Sequence, residues 1–373
     1  MTAPAEFDIF LAAPPGLEPL LRDEAAALGF RGAEVSPGGV LTRGGWPEVW
    51  RANLKLRGAG RVLARVGAFH AVHLAQLDKR ARRLPWSDIL PPGATLRVDA
   101  ACQRSRIWHA GAAAQRIARA AAEAVGGTEA PEAGFRILAR IVEDHCVVSI
   151  DASGEPLHKR GHKLAVGKAP LRETLAALFL RACGHHGAEP VVDPMCGSGT
   201  FVLEAAEIAL GLDAGRGRAF AFERFPGFDA AAFAAMRSPG AAPGRPRFFG
   251  MDRDAGAVEA AEANAARAGV AGAAVFRRQA VSALAPPEAL EGEPGLVVVN
   301  PPYGERIGEK GDLRALYGSL GQALRERFRG WRVGVVTSEP ALAQAAGLPF
   351  LPPGPPVPHG PLKVRLHRTG PLP

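Results

Sequence analysis

The chain has 373 residues, 47% of them apolar, a formal charge of +8 and four cysteines. That is too long for one ordinary domain and ample for buried cores. No run approaches the roughly 18 apolar residues of a membrane span, and MTAPAEFDIF lacks the basic-then-apolar order of a secretory leader, so the expected location is the cytoplasm.

From the N-terminus, FDIFLAA reads as a strand, Gly16 to Leu28 as an amphipathic helix ended by Gly29, and Gly39 to Thr42 as a short strand. RVLARVGAFH and ATLRVDAACQ follow as strands, and WHAGAAAQRIARAAAEAVG as a helix stopped by Gly126-Gly127. FRILARIVEDHCVVSIDAS gives two strands around an Asp-containing turn. Small α+β units are expected up to this point. The polar, basic, glycine-containing stretch from Asp151 to Lys168 reads as an interdomain linker with a short strand or turn.

From Ala169 the pattern changes. PLRETLAALFLRACG is a helix, PVVDPMCGSG a strand with a Gly-rich turn, TFVLEAAEIALG a helix, and 211–246 a loop-rich insertion. Strand RFFGMD, helix AGAVEAAEANAARAG, strands AAVFRRQA and GLVVVN, helix DLRALYGSLGQALRERF and strand WRVGVVTS come next, before a Pro-rich stretch and a terminal strand. Strands alternating with helices predict an α/β fold with a mostly parallel, doubly wound sheet.

Cys102, Cys146, Cys183 and Cys196 contain no CxxC pair, which argues against zinc and iron–sulfur sites. His70/His73 and His158/His162 have helical spacing but no further ligands, so no metal is expected. Charge is concentrated: between Arg43 and Arg119 stand 15 Lys and Arg against Glu48, Asp78, Asp88 and Asp99, an excess of +11. Such a block suits either a phosphate-rich partner or a plain solvated face.

Three segments carry chemistry. In Val191-Val192-Asp193-Pro194-Met195-Cys196-Gly197-Ser198-Gly199-Thr200 a strand runs into a Gly-rich turn and then a helix, which aims backbone N–H groups at a ligand over the strand end. A dinucleotide fingerprint would need Gly where Val202 stands, and a phosphate loop would need Gly-Lys. Asp193 at the strand end suits a cationic, amine-bearing ligand instead. The next strand ends at Asp252, placed to accept the ribose hydroxyls of a nucleoside cofactor, although Asp252 and Asp254 also suit a helix N-cap.

The short apolar strand Leu296 to Val299 delivers Asn300-Pro301-Pro302-Tyr303-Gly304 to the same edge. Consecutive prolines remove backbone donors, leaving carbonyl oxygens and the Asn300 amide oxygen as acceptors. An amine on a nucleobase is a poor nucleophile because its lone pair is delocalised into the ring. Accepting both N–H hydrogens, at Asn300 and the Pro301 carbonyl, draws the nitrogen toward tetrahedral geometry, while Tyr303 stacks on the base. Catalysis is then mainly positioning. The three segments in this order predict S-adenosylmethionine-dependent methylation of a planar amine.

The sequence resembles the class I methyltransferases that act on exocyclic amines, and more narrowly the bacterial THUMP-domain RNA guanine-N2 methyltransferases. The signposts are PGLEPLLRDEAAALGF, HKRGHKLAVGKAPLRETLAALFL, DPMCGSGTFVLEAA and NPPYGER; RAFAFERFPGFD is similar to the branch that modifies 23S rRNA more than to the tRNA branch. The resemblance implies a ferredoxin-like segment over 1–60, a THUMP RNA-binding domain over 61–152, a linker over 153–168 and a Rossmann-like methyltransferase domain with a seven-stranded sheet over 169–373.

By the same resemblance, Asp193, Gly197 and Gly199 line the methionine side of S-adenosylmethionine and Asp252 binds its ribose. Ala169-Pro170 and the following helix start, with Thr174, close over it, and Pro194, Cys196, Thr200 and Ala280 complete the cofactor set. Asn300, Pro301, Pro302 and Tyr303 hold the target base, and Arg80, Arg82, Arg83, Arg104 and Arg106 bind RNA. Val281 stands where the family commonly has an Asp for the adenine amino group, so Gln279, Ser282, a backbone carbonyl or packing must serve there. The rival readings are a tRNA guanine-N2 methyltransferase, an N6-adenine nucleic-acid methyltransferase, a release-factor glutamine methyltransferase, and a catalytically silent RNA-binding protein.

Overall fold

The structure, a computed structural model, describes residues 6–130, 133–164, 171–303 and 310–373. Contacts divide the chain into two units. The first comprises Met1–Ala13, Arg22–Leu157 and Arg218–Arg237; the second comprises Pro14–Leu21, His158–Gly217 and Ser238–Pro373. No helix among the described residues is long and apolar enough to cross a membrane.

The N-terminal half contains β1 (Phe7–Ala12), α1 (Glu18–Ala27), β2 (Glu34–Ser36), β3 (Gly39–Gly44), α2 (Trp46–Lys55), β4 (Arg61–His70), α3 (Leu74–Ala81), α4 (Trp86–Ile89), β5 (Thr95–Gln103), α5 (Ala110–Val125), β6 (Thr128–Glu129), β7 (Phe135–Val142) and β8 (His145–Asp151). Its strands form one eight-stranded sheet in the order β2-β3-β1-β4-β8-β7-β5-β6. Alternate side chains explain the strands: along β7, Phe135, Ile137, Ala139 and Ile141 point into the core while their neighbours face outward. Antiparallel pairing of β1 with β4, in which Ile9 faces Ala64, carries the sheet unbroken past residue 60.

Three helices of this half were not anticipated. α2 begins at Trp46-Pro47 after a Gly45 that makes no side-chain cap. α3 is capped by an imidazole, His73 Nδ1 accepting from the Gln76 N–H at 3.2 Å, where Ser, Thr, Asp or Asn is the usual signal. α4 is a single turn.

In the second unit, residues 158–164 carry buried charge. Arg160, 2% exposed, pairs with Glu204 at 3.0 Å. Glu207 receives His162 at 3.3 Å and Arg216 at 2.6 Å. Lys163 meets Glu173 at 3.1 Å and donates to Thr200 Oγ1 at 2.7 Å. After α6 (Glu173–Ala182), β9 (Val191–Asp193) and α7 (Thr200–Ala209) the chain enters the expected loop-rich insertion, whose middle, Arg218–Arg237, belongs to the first unit. There Phe225 lies edge-on to Trp46 at 5.4 Å and Phe228 to Trp50 at 5.3 Å. The Phe222 N–H donates to the Ala152 carbonyl, and Arg218 donates to the carbonyls of Glu155 and Pro156. α8 (Ala230–Ala235) sits here, capped by Asp229.

The chain continues through β10 (Phe248–Asp252), α9 (Ala255–Ala268), β11 (Ala274–Arg278), β12 (Leu296–Val299), α10 (Lys310–Arg327), β13 (Arg332–Thr337), α11 (Pro340–Ala345), β14 (Val357–His359) and β15 (Leu362–Arg368). The order is β11-β10-β9-β12-β13-β15-β14. It is parallel from β11 to β13, and β15 runs antiparallel to β13 and to β14. All four residues of β12 are fully buried, as expected of a strand covered on both faces.

Candidate active site

The strand order reverses at β9, with β10 and β11 to one side and β12 and β13 to the other. β9 and β12 pair only at Leu296↔Val191 and Val297↔Val192. Asp193 and Asn300 lie beyond those paired positions, and the crevice outside the strand ends is where an open α/β sheet binds ligands. A cavity of about 590 Å³ opens there, lined among others by Met195, Asp252, Gln279, Ala280, Asn300 and Pro302.

The Gly-rich turn is held from several sides. Gly197 and Gly199 both have left-handed backbones, φ +52° and +88°. A Cβ on Gly199 would sit 3.1 Å from Phe276 and 3.2 Å from Ala261, whereas one on Gly197 would meet nothing within 4 Å. Gly199 is therefore required by packing as well as by backbone, and Gly197 faces open space. The Cys196 N–H donates to the Met251 carbonyl at 2.8 Å, and the Gly197 N–H to Asp252 Oδ2 at 3.0 Å. Asn264, fully buried on α9, donates from Nδ2 to the Ser198 carbonyl at 3.1 Å. Gly250 matters for the same reason, since a Cβ there would strike Phe276 and approach Cys196 Sγ to 3.0 Å. Neither Asn264 nor Gly250 stands out in the sequence, although a polar residue on the inward face of α9 was the available signal.

Asp252 accepts at both oxygens, Oδ2 from Gly197 and Oδ1 from the Asp254 N–H at 3.0 Å. The cap of α9 is Asp254, which accepts from the Gly256 N–H. Asp193 is 2% exposed and accepts from the Met195 N–H at 3.1 Å. Burial pushes its carboxyl well above the usual range; Asp252 adds to the rise and the Met195 bond opposes it. Burial likewise raises the Cys196 thiol, helped by both carboxylates. The cavity thus has the half-buried Asp252 carboxylate in its wall, with the buried Asp193 at the neighbouring strand end, an arrangement suited to a ligand bearing positive charge.

Asn300 Oδ1 is buried without a hydrogen-bond partner among the described residues, although Asn300 lines the cavity. An acceptor so placed at a cavity wall suits an N–H or O–H donor of a bound ligand. Behind it, Tyr317 on α10 donates from its hydroxyl to the Pro302 carbonyl at 3.4 Å, which fixes the peptide next to Tyr303. Tyr303 itself is packed in, 9% exposed. At the cavity edge formed after β11 the Gln279 Nε2 is engaged by the Ala283 carbonyl at 2.8 Å, which leaves Oε1 as its acceptor, and Val281 and Ser282 also line the cavity.

Of the other expected cofactor residues, Pro194 lines the cavity. Thr174 is buried near the start of α6, and Thr200 is joined to that helix start through Lys163. Pro170, like Gly304, lies outside the described residues. The expected RNA-binding arginines all belong to the first unit. Arg82 pairs with Asp78 at 2.9 Å and with Glu123. Hydrogen bonds from Arg82 and Arg119 hold the Glu123 carboxyl down at about 2. Arg80 is half-buried at the end of α3, and Arg83 is exposed just after it. Arg104 pairs with Glu143 at 3.2 Å and Arg106 with Asp144 at 3.6 Å. No cluster of three or more His, Cys, Asp or Glu side chains able to hold a metal occurs among the described residues.

Sheet order, switch-point cavity and acidic strand ends define a class I methyltransferase, with S-adenosylmethionine as its cofactor. Residues 160–349 match UPF0020, the RMKL-like methyltransferase domain, and residues 8–63 match the RlmL ferredoxin-like domain. The chain belongs to this UPF0020 family of methyltransferases. It is 37% identical over 369 residues to the "Ribosomal RNA large subunit methyltransferase K/L" of Syntrophotalea carbinolica, covering 93% of this chain and 51% of the relative. It is 30% identical to a "Putative RNA methyltransferase" of Synechocystis, over 89% of each chain. The chain spans about half the length of most of the curated relatives it matches.

Among solved structures, a Listeria monocytogenes protein described as a "predicted N6-adenine-specific DNA methylase" superposes with a TM-score of 0.88 at 31% identity, covering 98% of this chain and 97% of that one. A putative methyltransferase complexed with SAH gives a TM-score of 0.86 at 26% identity, over 99% of both chains.

Proposed function

We propose that this chain methylates the exocyclic N2 amine of a guanosine in RNA, with 23S rRNA as that RNA. The observation that carries the chemistry is the buried Asn300 Oδ1 at the cavity wall, without a hydrogen-bond partner among the described residues. S-adenosylmethionine, when bound, supplies an electrophilic methyl group. Asn300 Oδ1 and the Pro301 carbonyl accept the two N–H hydrogens of the target amine and draw its lone pair out of conjugation. The prolines at 301 and 302 keep backbone donors away from that point. Tyr303, fixed through the Tyr317–Pro302 bond, bounds the pocket for an extruded base. No strong general base is needed, because the proton leaves for solvent once the nitrogen is alkylated. Asp252 takes the ribose hydroxyls; Asp193, Pro194, Cys196, Gly197, Gly199 and Thr200 form the methionine side, closed over by Pro170 and Thr174. Ala280 and Gln279 Oε1 take the adenine edge.

The RNA reading is supported by the printed names of the relatives and by the excess of +11 between Arg43 and Arg119. In this reading residues 61–152 are the THUMP RNA-binding domain after a ferredoxin-like segment over 1–60, 153–168 is the linker, 169–373 is catalytic, and the protein acts in the cytoplasm. Guanine N2 rests on the family resemblance, since an adenine N6 amine offers the same pair of N–H donors. The description of the Listeria structure keeps that second reading in play. The test is transfer of labelled methyl to 23S rRNA, tRNA and DNA, followed by mass-spectrometric nucleoside analysis. N2-methylguanosine in 23S rRNA is the expected product; label confined to DNA, or N6-methyladenosine alone, overturns the proposal.

A further inference from the structure

Trp108 is 79% exposed, the most exposed large hydrophobic side chain among the described residues. The loop that carries it, between β5 and α5, is pinned at almost every other position. Ser105 Oγ donates to the Gln103 carbonyl at 2.8 Å and accepts from the Asp144 N–H at 3.1 Å. The Arg106 N–H donates to Asp144 Oδ1 at 2.7 Å. Ile107 is buried in the core, and His109 Nδ1 caps α5 by accepting from the Ala112 N–H at 2.9 Å. Trp108 lies between a core plug and a helix cap, so its indole is held out into solvent on a rigid support. Its one ring neighbour among the described residues is His109, edge-on at 5.6 Å.

The surroundings have a definite chemistry. Arg104, Glu143 and Asp144 are the three non-glycine residues with left-handed backbones among those described, at φ +47°, +52° and +64°. The last two form the tight turn between Val142 and His145. This constrained turn meets the Trp108 loop through the Arg104–Glu143 and Arg106–Asp144 pairs. Both arginines are largely exposed, and exposed ion pairs contribute little, so either guanidinium can exchange its carboxylate for a phosphate. A solvent-facing indole on a pinned loop that also carries two such cations matches an unpaired nucleotide: the base stacks on the ring and the phosphates meet the arginines. A duplex offers no free base face for stacking.

We propose that Trp108, with Arg104 and Arg106, is a stacking anchor for an unpaired nucleotide of the RNA substrate; this rests on the RNA reading above. The chain supplies its own reporter. Of its five tryptophans, Trp50, Trp86 and Trp331 are buried and Trp46 is half-buried, so quenching by ligand reports chiefly on Trp108. The full chain is titrated with a single-stranded oligoribonucleotide of about twelve residues, within the span such sites cover, and with the same strand in duplex. Trp108→Ala and Trp108→Phe are titrated in parallel by anisotropy of the labelled strand.

The single strand is expected to quench the fluorescence. Trp108→Ala should weaken its binding by about ten- to a hundredfold, and Trp108→Phe, which keeps a ring, should restore most of the affinity. Wild-type affinity in Trp108→Ala overturns the anchor and leaves the RNA reading standing. Equal binding and quenching by the duplex also overturns it. A wild-type chain that binds neither RNA removes the RNA reading and the anchor with it.

Discussion

Gly197 and Asp252, fifty-five positions apart in the chain, are joined by a hydrogen bond from the glycine N–H to Oδ2 at 3.0 Å. The strand-end acid and the Gly-rich turn are therefore one mechanical unit, and damage to either reaches the other. Substituting Asp252 should be felt in cofactor binding in two ways, through the lost acceptor and through a turn released from its anchor. Charge-assisted hydrogen bonds contribute about 1.5–3 kcal/mol each. Asp252→Ala is expected to weaken S-adenosylmethionine binding by about a hundredfold, measured by calorimetry, with Asp252→Asn intermediate. Unchanged affinity in both variants would show that the acid only shapes the turn.

Asn300→Ala removes the acceptor at the cavity wall, and among the described residues no hydrogen bond ties Asn300 Oδ1 to the cofactor side. Its expected signature is a fall in kcat of about a hundredfold or more, as for other losses of orientation, with cofactor affinity unchanged. A matching loss of cofactor binding would place the loop elsewhere in the site.

Asp193 predicts a conflict between stability and binding. Its folded carboxyl titrates above the unfolded value because it is buried, so it favours the folded state at low pH. That contribution is lost as pH rises through the raised folded value, so the group opposes folding on the alkaline side. Asp193→Asn should accordingly unfold at higher denaturant concentration than wild type near pH 8, with the gap narrowing toward pH 4, while binding S-adenosylmethionine less well. A gap that widens on acidification would contradict this sign.

Arg160 and Glu204 are both buried, at 3.0 Å. Replacing one member of such a pair costs about 3–5 kcal/mol. Arg160→Met should lower the urea midpoint accordingly; a midpoint unchanged within error would mean that the pair is neutral to stability.

The arginines of the first unit should not behave alike. Arg82 is engaged by Asp78 and Glu123, whereas no such pair is described for Arg83. Neutralising Arg83 should reduce the salt slope of RNA binding by about 1, and neutralising Arg82 by less. Equal slopes for the two variants would show that the carboxylates do not hold Arg82 back.

The catalytic sheet was legible because its strands are short apolar runs separated by amphipathic helices, and the Asp193, Asp252 and Asn300 segments each end a strand. α2 and α3 were not, since Gly45 and His73 stand where a hydroxyl or carboxylate cap would announce a helix. The sheet that runs from β1 into β4 was hidden for a different reason: pairing between Ile9 and Ala64 is a long-range choice with no local mark. Within the site, Asn300 and the glycines follow from chemistry. Asn264, Gly250 and Tyr317 act from behind, by supporting other residues, and only packing reveals them.

The phenylalanines of 218–237 complete the unit that begins at the N-terminus. During synthesis that unit cannot close when its last strand, β8, leaves the ribosome; Trp46 and Trp50 must wait until Phe225 and Phe228 emerge. Domains generally form in order as the chain grows, but here the earlier one needs a piece of the later. A ribosome stalled after β8 would therefore present α2 with its Trp46 and Trp50 side chains uncovered, and shortening the chain from the C-terminal side should harm the first unit once the cut passes Arg237.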